Sequence, residues 1–157
     1  MALTPAQKIT LKAAIQADST ANAFYINGDL SGLADYMNAA ASPAFIVWKS
    51  NVVIGEVGKK FNATELAGLT SLNTQRLQNL AAWLIEGVNP SLASIRQFFD
   101  DIFSGAGGTN TRTALLALWK RSATRVEKVF AAGTGSDAVP ATLVVEGDLS
   151  TNDLIGL

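Results

Sequence analysis

The side chains able to do acid–base or ligand chemistry are thirteen aspartates and glutamates and twelve lysines and arginines; the chain has no histidine and no cysteine. The commonest metal ligand and the usual general base are therefore missing, as are thiolate zinc sites, disulfides and a cysteine nucleophile. What remains is carboxylates and cations, so each cluster of these has to be weighed against an ordinary structural reading. Asp100 and Asp101 are adjacent. Successive helical positions point about 100° apart, so the two do not form an acid pair around one substrate; they solvate a helix end or meet a basic partner. Gly133-Thr134-Gly135-Ser136-Asp137-Ala138 matches a G-x-G-x-x-A pattern. That fingerprint works between a strand and a helix N-terminus. The order expected here is helix before and strand after, which makes it a helix-stopping turn. Ser104–Gly108 opens a helix and could cradle an anion, but the following residues are Thr109, Asn110 and Thr111, without the P-loop lysine, so it reads as a connector. Asn62-Ala63-Thr64 has the form of a glycosylation sequon, which carries no weight without a signal peptide.

The cluster that carries a hypothesis is Lys120, Arg121, Arg125 and Lys128. Residues 109–132 hold five cations and one glutamate, whereas residues 133–157 hold four carboxylates and no cation. On one continuous helix Arg121, Arg125 and Lys128 fall at i, i+4 and i+7 and share a face. Such a face is either simply solvated or meets an acidic patch on a protein. Four cations without an extended arm or an aromatic platform make a weak nucleic-acid signature. Thr142, Leu143, Val144, Val145 and Glu146 form a second candidate, an edge strand able to extend a neighbour's sheet. Arg121, Arg125 and Lys128 together with Thr142–Glu146 are the candidate protein interface. No catalytic, cofactor-binding or metal-ligating residue is assigned.

The elements that must position them follow from caps and periodicity. Thr4, Pro5 and Gln7 form a capping box with proline at the first helical position, and the helix should run to about Ala17, burying Leu11, Ala14 and Ile15. Asp18–Asn27 has no period and reads as a loop. Leu30, Leu33, Ala34 and Met37 mark a helix starting at Gly28 or Asp29. Pro43–Lys49 is a strand candidate, and residues 52–61 are ambiguous because Gly55 and Gly58 weaken a helical spacing. Leu77, Leu80, Ala81 and Leu84 predict a helix from about Ser71 to Gly87. Asn89-Pro90 starts another, lined by Leu92, Ile95, Phe99 and Ile102 and stopped by Gly105. The longest helix is expected over about 109–132, with Leu115, Leu118, Trp119, Ser122, Val126 and Val129 on one stripe. Trp83 and Trp119 should be largely buried. Pro140–Gly147 is a second strand candidate, and Ser150 caps a short turn through Leu154. The fold class is mainly α: a multi-helix bundle over 1–132 with a small β element (43–49 and 140–147), residues 133–157 forming an extended tail of the same domain.

Length and composition agree with one compact, partner-covered domain. A chain of 157 residues builds its own core, and 48% apolar with 16% charged residues excludes intrinsic disorder. So little charge, against about 25% in an average domain, suggests a surface partly covered by other subunits. The start MALTPAQK lacks a signal-peptide pattern, and the longest apolar runs fall far short of the ~18 residues of a membrane span, so a soluble, cytoplasmically made chain is expected.

Four stretches together resemble a family of small proteins encoded among the structural genes of tailed bacteriophages and prophages. They are residues 41–49 (ASPAFIVWK), 102–108 (IFSGAGG), 118–127 (LWKRSATRVE) and 133–143 (GTGSDAVPATL) running on to Glu146-Gly147. The resemblance spans about Ala41 to Ser150. It implies a non-enzymatic virion component made and assembled in the host bacterial cytoplasm. A helical bundle with a projecting β tail would suit a homo-oligomeric head–tail adaptor on the portal ring, in contact with portal or tail proteins. Capsid decoration or tail assembly are the alternatives within that class, and a small nucleic-acid-binding module lies outside it. The resemblance implies no catalytic residue, and from the residue types and run lengths no cofactor and no membrane partner is expected.

Overall fold

The computed structural model describes residue 1, residues 3–83 and residues 87–157. It is mainly α with a small β component, 56% helical with two small two-stranded antiparallel sheets. The chain forms two compact units, Met1–Val47 with Ser122–Leu157, and Trp48–Arg121.

The first unit begins with α1 (Pro5–Ala17), which has the expected cap: the Thr4 side chain accepts from the Gln7 amide, and the Gln7 side chain accepts from the Thr4 amide. Asp18 ends α1 and caps α2 (Ser19–Ile26), its carboxylate accepting from the Thr20 and Ala21 amides. The loop expected over 18–27 is thus a helix. Only Ala21 of α2 is buried, so no apolar stripe betrays it; the signal was the Asp-Ser-Thr cap. Asp29 caps α3 (Leu30–Asn38), which buries Leu33, Ala34 and Met37. These side chains pack with Leu11, Ile15, Val126 and Phe130, and with Leu149 and Leu154 from the C-terminal segment.

Strand β1 (Ile46–Trp48) is shorter than the 43–49 expected. The predicted long helix is three elements: α8 (Thr109–Trp119), β2 (Lys120–Ser122) and α9 (Arg125–Phe130). The helix breaks because the backbone at 120–124 is used elsewhere. Lys120 is extended, the Ala123 amide donates to the Phe45 carbonyl at 2.8 Å, and the Ala41 amide donates to the Ala123 carbonyl at 3.0 Å. Thr124 restarts the helix with a capping box to Glu127. A second sheet pairs β3 (Ala131–Ala132) with β4 (Thr142–Leu143), antiparallel, Ala131 opposite Leu143. The 140–147 candidate is therefore reduced to two ladder residues, with Ala141 bridged to Val47. The last helix, α10 (Thr151–Leu154), has the predicted Ser150 start, closed by Asp153.

In the second unit the ambiguous segment contains α4 (Ile54–Gly58), followed by α5 (Ala63–Ala67), α6 (Ser71–Trp83) and α7 (Ala93–Ile102). Leu84 lies outside the described residues, as does the side chain of Trp83. Helix α7 starts later than Asn89-Pro90 predicts, because Asn89 closes a local turn instead, accepting from the Ser91 amide and hydroxyl. Gly105 ends the segment with φ of 71°. Phe99, Ile102, Phe103, Leu115 and Trp119 form the core with Val52, Val57 and Val88. Trp119 is 2% exposed, as expected, and meets Phe99 edge-on at 5.4 Å.

Candidate functional site: a basic cleft in the first unit

Splitting the long helix redistributes the cations. Arg121 is in β2 and belongs to the second unit, whereas Arg125 and Lys128 lie on α9 in the first. The shared face of three is corrected to a pair, one turn apart. Both are seated on aromatic rings. The Arg125 guanidinium lies 4.2 Å from the centroid of the Tyr36 ring and donates to the Tyr36 carbonyl at 3.0 Å. The Lys128 ammonium lies 5.7 Å from the centroid of Phe45.

Each ring is placed by a local feature. Tyr36 is on α3, and its hydroxyl donates to both oxygens of Asp18, at 3.2 and 3.0 Å. Phe45 packs against Gly135, where φ is 66° and an added Cβ would sit 2.2 Å from the ring. The Gly135 carbonyl also accepts from the Ile46 amide at 2.7 Å. The glycine-rich turn 133–138 is thus a seat for Phe45 rather than a phosphate loop, and the antiparallel β3–β4 pair encloses it.

The two cations line a cleft of about 270 Å³ with Asp18, Ser42, Ala14, Met37, Ala41 and Val129. Asp18 is held below the usual aspartate range by the Ala21 amide first, despite some burial, with the Tyr36 hydroxyl, the Thr20 amide and the charge of Arg125 adding to the effect. Its oxygens are thus already engaged by donors within the unit.

The other candidate residues are not on a free tail. Leu143 and Val145 turn inward against apolar clusters, while Thr142, Val144 and Glu146 are exposed. Val144 is 70% exposed. The segment is tied down at both ends: β4 pairs with β3, and Asn38 donates to the Leu149 carbonyl at 2.9 Å while accepting from its amide at 2.8 Å. Buried Glu127 accepts from the Gly147 amide between them. The expectation of a projecting tail over 133–157 is corrected, because its buried leucines, Leu149 and Leu154, are part of the first unit's core.

Sequence reasoning missed a second cleft, of about 320 Å³, in the second unit. Its polar lining includes Arg96 and Asp100 from α7 and Thr109, Arg112 and Thr113 from α8, beside Trp48 and Trp119. The spacings Arg96/Asp100 and Thr109/Arg112/Thr113 are one-face helical signals that could have pointed to it. Arg96 stacks on Trp48 at 4.2 Å and donates to the Ser91 carbonyl; burial pulls its pKa below the usual arginine value, opposed by Asp100. Arg112 donates to the carbonyls of Phe103 and Gly105, closing the end of α7. These arginines have evident structural work. Asp101 accepts from the Gln97 side chain, whereas Asp100 lines the cleft. The start of α8 is occupied from within: Glu65 accepts from the Asn110 and Thr111 amides, both at 2.8 Å. Asn62 of the sequon caps α5.

Among the described residues there is no group of three His, Cys, Asp or Glu side chains placed to hold a metal, and no helix long and apolar enough to cross a membrane. No protein-family model, curated protein or solved structure matches the chain.

Proposed function

We propose that this protein is a non-enzymatic structural component of a tailed-phage virion, assembling with copies of itself and with portal or tail proteins as a head–tail adaptor. The resemblance of residues 41–49, 102–108, 118–127 and 133–147 motivates the class. The observation that carries an assembly role is the anchored segment 142–146. Its inward residues are core, and its outward face presents Thr142, Val144 and Glu146, with Val144 70% exposed. An apolar side chain held outward on a fixed backbone suits a protein contact, because little conformational entropy remains to be lost on binding. Mass spectrometry of gradient-purified particles tests the class, and the protein's absence from them refutes it. A particle reconstruction tests the station: density for this chain must form a ring between portal and tail. Val144→Asp should fold normally and incorporate poorly; normal incorporation removes the segment from the interface.

A further inference from the structure

We infer that the cleft between α1, α3 and α9 binds a carboxylate side chain of a neighbouring protein, with Arg125 and Lys128 as the recognising cations. This deepens the assembly reading and rests on it for the nature of the partner.

Three observations carry the inference. First, the cations are positioned before any partner arrives. Arg125 is stacked on Tyr36 and tethered to its carbonyl, and Lys128 lies over Phe45, whose place Gly135 permits. Long cationic side chains ordinarily lose rotamer freedom on binding; ring seating reduces that loss. Second, no salt bridge joins either cation to a carboxylate among the described residues. The acid in the cleft, Asp18, accepts from two amides and the Tyr36 hydroxyl, so its interactions are directed into its own unit. Third, the remaining wall is apolar, from Ala14, Met37, Ala41 and Val129, with the exposed Ser42 at the edge. A carboxylate on an aliphatic stem matches that combination: the stem meets the apolar wall and the head meets two donors. A phosphate backbone fits less well. It offers no aliphatic stem to meet the wall of Ala14, Met37, Ala41 and Val129.

The test uses the full chain and fluorescence anisotropy. The probe is a labelled octapeptide with two glutamates and two leucines in a glycine–serine frame; its twin has glutamine for glutamate. The glutamate peptide should bind saturably and the twin should not. Lys128→Gln should weaken binding about tenfold, the equivalent of roughly one charge-assisted hydrogen bond. Lys12→Gln removes a cation that stacks on Tyr25 and does not line the cleft, and it should leave binding unchanged. Equal binding of the two peptides, no saturable binding, or equal effects of the two lysine variants overturns the inference. So does an oligothymidylate of eight nucleotides that binds more tightly than the glutamate peptide and loses affinity in Lys128→Gln, because the cleft is then a phosphate site. A protein found in particles whose cleft fails this test keeps the assembly reading and loses the carboxylate site. Peptide binding by a protein absent from particles has the reverse meaning.

Discussion

Leu154 and Ile155 are neighbours with opposite environments, which makes them a sharp test of whether the C-terminal segment belongs to the core. Leu154 is 2% exposed and packs in the cluster with Leu11, Ile15 and Leu33, while Ile155 is 60% exposed. Truncating a buried leucine to alanine removes its transfer free energy and leaves a cavity, together about 2–5 kcal/mol. Truncating an exposed residue generally changes stability by less than about 0.5 kcal/mol. Leu154→Ala should therefore cost about 3 kcal/mol by the first rule, and Ile155→Ala almost nothing by the second. Deleting residues 148–157 also removes Leu149 and its paired hydrogen bonds with Asn38. Losing two buried leucines amounts to roughly 4–10 kcal/mol if the costs add, comparable with a whole domain's stability of about 5–15 kcal/mol. The deleted protein should lose the fold of its first unit rather than remain an intact bundle. Urea unfolding followed by far-ultraviolet circular dichroism suits the measurement, because all three tryptophans (Trp48, Trp83 and Trp119) belong to the second unit and would not report directly on this core. A Leu154→Ala cost below about 1 kcal/mol, equal effects at the two positions, or a cooperatively folded 1–147 chain would refute the reasoning.

Three further outcomes follow from individual environments. Trp119→Ala should cost about 3–5 kcal/mol, whereas Trp119→Phe should cost far less, because the buried indole N–H has no partner in the described structure and its loss offsets lost packing; equal costs measured by urea titration would contradict this. The folded pKa of Asp18 lies below its ordinary value of 3.8, so its contribution is fully present above 3.8 and lost as pH falls through the folded value. Asp18→Asn keeps a capping side chain but removes the charge, so its stability should fall less steeply on acidification below pH 3.8; parallel wild-type and variant profiles would remove Asp18 from the acid response. Gly135→Ala should destabilise by about 1–3 kcal/mol, through both positive φ and collision with Phe45, and a neutral thermal melt would show that the ring seat is not tight.

Legibility in the sequence followed the range of the forces involved. Caps whose donors and acceptors lie three residues apart were readable: Thr4 with Gln7 for α1, Asp29 for α3, and Ser150 for α10. The buried stripes of Leu33, Ala34 and Met37, and of Phe99 and Ile102, were readable because one helical face repeats. The basic cleft was half legible. Arg125 and Lys128 stood out as charges, but their aromatic seats come from residues 36 and 45, far along the chain.

The mainly α class, the starts of α1, α3, α6, α8 and α10 and the lack of histidine and cysteine chemistry were fixed locally, since composition, caps and periodicity are short-range quantities. The tertiary structure alone decided where the apparent helix over 109–132 is cut. Helical propensity favours its continuation by only a few tenths of a kcal/mol per residue. Hydrogen bonds from Ala123 to Phe45 and from Ala41 to Ala123, together with the Thr124 cap, outweigh that preference. The same cut assigns Arg121 and Arg125 to different units, and the burial of Leu149 and Leu154 among the first unit's apolar side chains holds the C-terminal segment in that core while Glu146 and Asp148 stay in water.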